Sequence, residues 1–230
     1  MFVAFDVGET LIQYEGLALD WSEHYRPALL HALSEASATA DEEAMSTAIE
    51  ILTFYNTRKN PREFEIEASE VTAKIAKLMD VSHPEFERCF FSYFQRRSSP
   101  TPGALQLLCQ LRNAGTYLAA LSDVPYGMPT ATLIEDLGEL ASTFDCIASS
   151  CDVGTRKPNS KGLCQLLKLS GYSENRAYYV GNEQKDIETA LSANMRSILL
   201  SSSHSPPNYG QTHTVRYLAE VAKIVLYPDP

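Results

Sequence analysis

Three features of the 230-residue sequence predict a doubly wound parallel α/β sheet carrying an inserted all-α segment. Short β-rich runs lie at both ends of the chain. Helical patterns of ten or more residues separate most of them, and residues 17–97 carry helical patterns alone. Strands alternating with helices of this length favour βαβ units and a parallel sheet.

The first strand, FVAF (2–5), ends abruptly on a carboxylate, Asp6, followed by Val7-Gly8-Glu9-Thr10. A buried charge is costly unless paired, so Asp6 needs a partner from elsewhere in the chain. Four amphipathic helical stretches follow: WSEHYRPALLHALSEA, DEEAMSTAIEILTFYNTRKN, EIEASEVTAKIAKLM and HPEFERCFFSYFQRR. An all-helical block placed after the first strand is most simply a second, smaller domain. The expected organisation is an α/β core at 1–16 and 98–230 with a helical cap at 17–97, the SSPTPG stretch (98–103) returning the chain to the core. The core then alternates helix GALQLLCQLRNAG (103–115), strands TYLAALS (116–122) and FDCIAS (144–149), helix NSKGLCQLLKLSG (159–171), strand AYYVG (177–181), helix DIETALSANM (186–195) and strand RSILLS (196–201). Gly115 and Gly171 each follow an apolar-periodic stretch, as helix-stop residues do.

Composition narrows the function. The 44% hydrophobic and 21% charged residues are those of an ordinary globular protein. With 19 basic against 29 acidic residues, the net charge of −10 argues against nucleic acid as a partner, because phosphate backbones need a basic footprint. A small anion held by a few local cations remains compatible. The cysteines at 89, 109, 146, 151 and 164 are odd in number and lack C-x-x-C spacing, which predicts reduced thiols rather than a disulfide frame or zinc site. No run reaches the roughly 20 apolar residues that a membrane span requires, and FVAFDV begins without a basic n-region. The expectation is a cytoplasmic protein with no membrane partner.

Ligands of open parallel sheets collect at the carboxyl ends of the strands. The strands end in turn on Asp6, on Ser122-Asp123 in LAALSDVPYG, on Lys157 in DVGTRKPNSKG, and on Gly181-Asn182-Glu183-Gln184-Lys185-Asp186. A nucleophile candidate, a hydroxyl, a lysine and an acidic cluster thus arrive at one edge in order.

FDVGETL, ALSD, RKP and VGNEQKD, in that order, closely resemble the four motifs of the haloacid dehalogenase superfamily of hydrolases. The resemblance covers essentially the whole chain, and the helical block occupies the place of that family's cap. It implies a magnesium-dependent phosphatase acting on a small phosphorylated metabolite. Asp6 would be the nucleophile, and Ser122 with nearby backbone N–H groups would hold a phosphoryl oxygen. Lys157 would offset charge as a point cation. Asp123 either contributes to substrate binding or caps the following turn. For the metal, Asp6 and the Gly8 carbonyl would each supply an oxygen. Asp186 is the first choice for the remaining carboxylate and Glu183 the alternative; Asn182 stands where the family often has aspartate.

One departure matters. Two residues after its nucleophile, a phosphatase of this family usually has a second aspartate that protonates the leaving group; here the position is Gly8. General acid–base help is worth about 10²–10⁴-fold. Three readings follow: a phosphatase suited to good leaving groups or rescued by Glu9 or a cap residue, a dehalogenase-type hydrolase needing no such acid, or a catalytically impaired binding protein. Elsewhere the sequence leaves pairs of readings open. His24 and His31 share a helix face, as a packed or solvated pair before a metal site. Trp21 and Tyr25 pack the cap or wall a pocket. Tyr55, Asn56, Arg58 and Arg62 face the site or lie on an exposed loop. VPYGMP (124–129) lines the pocket or only shapes the chain's exit.

Overall fold

The structure, a computed structural model, describes residues 1–17 and 20–227. The remaining positions, 18–19 of the expected cap and 228–230 of the expected core, lie outside the described residues.

FVAF forms β1 (Phe2–Phe5), buried along its whole length, so both of its faces must be covered. A short strand β2 (Ile12–Tyr14), a 3-10 turn (Trp21–His24) and four helices follow: α1 (Tyr25–Glu35), α2 (Glu42–Tyr55), α3 (Glu70–Leu78) and α4 (His83–Gln95). The chain returns through β3 (Ser98–Pro100) to α5 (Ala104–Asn113), β4 (Tyr117–Ser122), α6 (Thr130–Leu137), β5 (Cys146–Ser149), α7 (Ser150–Val153) and α8 (Lys161–Ser170). It closes with β6 (Ala177–Gly181), α9 (Gln184–Ser192), β7 (Arg196–Leu200), β8 (His213–Val215) and α10 (Leu218–Leu226).

Six strands form one parallel sheet in the order β5-β4-β1-β6-β7-β8. β1 lies inside it, Phe2 opposite Tyr117 on one side and Ala177 on the other. The chain builds β4 and β5 on one side of β1, then crosses to build β6, β7 and β8 on the other. That reversal opens a crevice at the carboxyl end of β1, where open α/β sheets bind ligands.

Alternate residues of each strand serve opposite faces. Val3, Phe5, Leu118, Ala120 and Val180 pack with Leu107, Leu108 and Leu111 of α5 and Val221 and Val225 of α10. Phe2, Ala4, Ala119, Leu121 and Tyr179 pack with Leu163, Leu166 and Leu167 of α8 and Ala190 of α9. Helices therefore cover both faces, and the doubly wound α/β core expected from the sequence is present.

The four-helix segment gathers around α4, whose Phe86, Phe90, Phe91 and Phe94 are all buried with Leu29 and Leu33 of α1, Leu52 of α2 and Ile75 of α3. His24 and His31 flank Tyr93: His24 Nδ1 lies 3.1 Å from its hydroxyl, and His31 Nε2 lies 3.2 Å from Ser92 Oγ. They are a packed pair. α2 ends at Tyr55, short of the NTRKN run, because the Asn56 side-chain oxygen accepts from the Arg58 N–H (2.8 Å) and turns the chain.

Two features escaped the sequence reading. β2 and β3 pair antiparallel, Ile12 opposite Pro100 and Tyr14 opposite Ser98, so the chain leaves and re-enters the α/β part side by side. β8 and α10 extend the sheet and its helical cover beyond the last anticipated strand. Three-residue strands are too short for periodicity to register. All five cysteines are free. Among the described residues, no helix is long and apolar enough to cross a membrane.

Candidate active site

β1, β4 and β6 end at the same edge and deliver Asp6, Ser122 and Gly181 there. The Asp6 N–H donates to the Val180 carbonyl (2.8 Å), which keeps the residue in register with β6 as the chain leaves the sheet. Asp6 is buried, and the partner it requires is Lys157. Lys157 Nζ donates to Asp6 Oδ1 at 2.5 Å, to Asp186 Oδ1 at 2.6 Å and to the Tyr179 hydroxyl at 3.3 Å. Burial pushes the Asp6 carboxyl up to about 6, the Lys157 ammonium pulling against it and the Asp186 charge adding to it. Burial alone would lower the Lys157 ammonium, but the charges of Asp186 and Asp6 carry it well above the ordinary lysine value.

The backbone of Lys157 is fixed as firmly as its side chain. Its N–H donates to Asp123 Oδ1 (3.0 Å), while Lys185 Nζ donates to Asp123 Oδ2 (3.1 Å). Burial raises the Asp123 carboxyl, and the charges of Lys157, Arg156 and Lys185 more than reverse this, leaving it below the usual carboxylate range. Asp123 is thus a partner of two lysines rather than a turn cap.

Asp186 is fully enclosed. Its Oδ2 accepts the N–H groups of Asn182 (3.1 Å) and Glu183 (2.9 Å), capping α9, while its Oδ1 takes the lysine. It reaches this position because residue 181 has no side chain: a Cβ there would stand 2.4 Å from Asp186 Cγ. Glu183 turns the other way. Both of its oxygens accept from Arg58 (2.5 and 2.8 Å), and Lys185 lies 3.3 Å from Oε2. Burial raises its carboxyl, but the Arg58 hydrogen bonds and the Lys185 charge bring it down to about 2.

Both carboxylates expected at the metal site are engaged by cations of the chain itself. An ammonium stands between Asp186 and Asp6, and Glu183 is engaged by a guanidinium. Among the described residues, no three His, Cys, Asp or Glu side chains cluster as metal ligands. A smaller oxygen set remains. The Thr10 hydroxyl lies 3.3 Å from Asp6 Oδ2 and 3.2 Å from Asn182 Oδ1, one proton between two acceptors. The neighbouring Val7 carbonyl takes the N–H groups of Thr10, Leu11 and Ile12, so none of these is directed at the Gly8 carbonyl. One carboxylate, an amide oxygen and a carbonyl suit a hard divalent ion of the magnesium kind, which commonly binds through one or two carboxylates plus substrate phosphate.

Asp6 and Gly8 open into a cleft that encloses about 130 Å³. Asp6, Ser122, Asp123, Arg58, Arg156 and Lys185 form its polar wall. Tyr55, Asn56 and residues 124–126 and 128 line it as well, whereas Arg62 bonds the Tyr55 carbonyl and Glu65 instead. Sequence reasoning missed Thr10, Arg156 and Lys185, although each lies inside a quoted motif. It also missed Glu65, whose fully enclosed side chain takes Arg156 and Ser150 from the α/β part. Nothing in its local pattern set Glu65 apart from the other acidic residues of a predicted helix.

Comparison with known proteins fits this geometry. Residues 27–200 match the model of a family described as haloacid dehalogenase-like hydrolase. A phosphoglycolate phosphatase of Mesorhizobium japonicum is 36% identical over 97 residues, 42% of this chain and 42% of the relative. One of Rhodospirillum rubrum is 32% identical over 108 residues, 47% of this chain and 44% of the relative. The matched segments thus span less than half of each curated relative. A HAD phosphatase of Thermococcus onnurineus shares the fold with a TM-score of 0.66 at 18% identity, over 97% of this chain and 96% of that one.

Two stability predictions follow from the packing. Gly181→Ala drives a methyl group into Asp186 and should cost at least about 2 kcal/mol, read as a lowered urea midpoint. Asp136, whose Oδ2 takes the Tyr14 hydroxyl (2.6 Å), has its carboxyl raised by burial to about 6. The unfolded carboxyl loses its proton first as pH rises, so between about pH 4 and 6 Asp136 progressively favours unfolding. Relative to Asp136→Asn, the wild type should lose roughly 1–3 kcal/mol between pH 4 and 7, measured by urea unfolding at each pH.

Proposed function

The chain belongs to the haloacid dehalogenase-like hydrolase family, and on that premise we propose that it is a magnesium-dependent phosphatase forming an aspartyl-phosphate on Asp6. Its substrate in this reading is a small phosphorylated metabolite. The single observation that carries the proposal is the enclosed Asp6 carboxylate, bonded to Lys157 at 2.5 Å and opening into a cleft walled by further cations. The phosphatase names of the two curated relatives support the phosphoryl chemistry.

An Asp6 oxygen attacks phosphorus while the bond from phosphorus to the leaving oxygen breaks, that oxygen keeping the electron pair and taking a proton from water. A second water then attacks phosphorus, releasing phosphate and returning the Asp6 carboxylate. Lys157 offsets the charge that Asp6 and the phosphoryl group bring together, a task suited to a compact ammonium. Ser122, at the tip of β4, donates to a phosphoryl oxygen. Asp123 and Asp186 are positioning residues that fix Lys157 at its N–H and at its Nζ. Asp6, the Gly8 carbonyl and Asn182 would hold the magnesium ion, which when bound neutralises phosphoryl charge as a Lewis acid. The four-helix segment acts as a cap, and residues 55–58 close the mouth of the cleft and exclude water.

Gly8 has no proton to give. Glu9 does not replace it well: its Oε1 accepts from the Tyr14 N–H (3.3 Å), and its backbone has φ 57°. Esters whose leaving oxygen departs without protonation are therefore the ones this site turns over fastest.

Hydrolysis of p-nitrophenyl phosphate tests the proposal. Turnover should require added magnesium, cease with a chelator, and fall by at least about 10³-fold in Asp6→Asn. Undiminished turnover in that variant would remove Asp6 from the chemistry. Gly8→Asp supplies the absent acid at a position whose Cβ meets no atom within 4 Å, and should raise turnover of an alkyl phosphate by at least about tenfold. An unchanged alkyl rate would show that protonation of the leaving oxygen does not limit the reaction.

A further inference from the structure

We propose that the substrate is a small aryl phosphate, the ester of a phenol, and not a phosphorylated carboxylic acid or a sugar phosphate. The proposal rests on the phosphatase reading above and names the substrate class of that same cleft.

Apart from its polar groups, the cleft is lined by an aromatic and aliphatic wall: Tyr14, Leu17, Trp21, Tyr126, Met128 and Leu133. Trp21 is stacked on Phe94 with ring centroids 4.0 Å apart at 11°, stands edge-on to Tyr14 at 5.8 Å, and lies 6.2 Å from Tyr126. Packing on several sides holds these rings in fixed orientations, a wall to which a flat apolar body adds with little loss of freedom. Their hydroxyls are already engaged. Tyr14 donates to Asp136 and Tyr126 to the Tyr25 hydroxyl (2.8 Å), so ring surface rather than polar edge is on offer. The hydroxyls of a sugar would be buried against this wall without partners, which is costly.

The polar wall argues against the phosphorylated carboxylic acid. Arg58 holds Glu183, Arg156 holds Glu65, and Lys185 holds Asp123 and Glu183. Among the described residues, each of these three cleft cations already carries a carboxylate. A substrate bearing its own carboxylate, such as the phosphoglycolate named for the curated relatives, would have to break one of these pairs.

Gly8 supplies an independent argument. A phenol ionises near pH 10, far below an aliphatic alcohol, so a phenolate leaves without a protonating side chain where an alkoxide does not. The reaction balances without a further reactant: water replaces the phenol on phosphorus, and the phenolate takes a proton from solvent.

Trp21 is the sole tryptophan, so its fluorescence reports directly on the apolar wall. Benzylphosphonate and 3-phosphonopropionate, inert counterparts of phenyl phosphate and phosphoglycolate, are titrated into the whole protein in magnesium buffer. The aryl compound should quench or shift the emission and bind at least about tenfold more tightly. In turnover, kcat/KM for phenyl phosphate should exceed that for phosphoglycolate and for a hexose phosphate by at least about tenfold. Trp21→Leu and, should that variant fold poorly, Leu133→Asn should each lower this preference at least about fivefold. Turnover favouring phosphoglycolate or the hexose phosphate overturns the inference and leaves the phosphatase reading standing. Turnover of no ester overturns both.

Discussion

The contact on which the rest of the site depends is the Lys157 ammonium enclosed between Asp6 and Asp186. None of the three groups is more than slightly exposed, so their charges survive burial only as a set. Taking one member from a buried ion pair typically costs about 3–5 kcal/mol, because the remaining charge loses its counterpart. The set therefore acts as a tie between segments far apart in sequence: the end of β1, the loop after β5 and α7, and the first turn of α9. Other features serve the tie. Gly181 makes room for Asp186, Asp123 fixes the lysine backbone, and the Tyr179 hydroxyl takes up a further ammonium contact.

The family relationship and the local departures from it are compatible. The matched segment, 27–200, begins after Asp6, so the likeness rests on the helical segment and the later motifs, and the structure joins the first strand to them. At two positions where the family usually or often places carboxylates, this chain has Gly8 and Asn182. Both replacements remove negative charge next to Asp6 and leave its nearest strong interaction with an ammonium.

The core of this arrangement was legible in the sequence because it depends on order and spacing. Residues at the ends of parallel strands meet at one edge whatever lies between them, so Asp6, Ser122, Lys157 and Asp186 could be grouped from strand pattern alone. Their division of labour could not. Whether Asp186 faces a metal or a lysine depends on where one side chain points, and Glu183, three residues earlier, goes elsewhere because Arg58 arrives from the helical segment. Contacts of that kind join residues more than a hundred positions apart and leave no periodic trace. The β2–β3 ribbon was missed for a different reason: three residues make less than two full alternations. The aromatic residues around 21 and 126 stood out by type, but which side of them lines a cleft is a property of packing.

Glu65 gives the two halves of the molecule an unusual mode of separation. Its side chain is completely enclosed, and Arg156 across from it is nearly so. Parting the helical segment from the α/β sheet would return both charges to bulk solvent, so the event is governed by rehydration. Mobile ions screen such a pair weakly while it is closed. Excluded osmolytes, which disfavour newly wetted surface, would hold the halves together. Any parting of the molecule at this pair would thus respond to water activity more than to ionic strength.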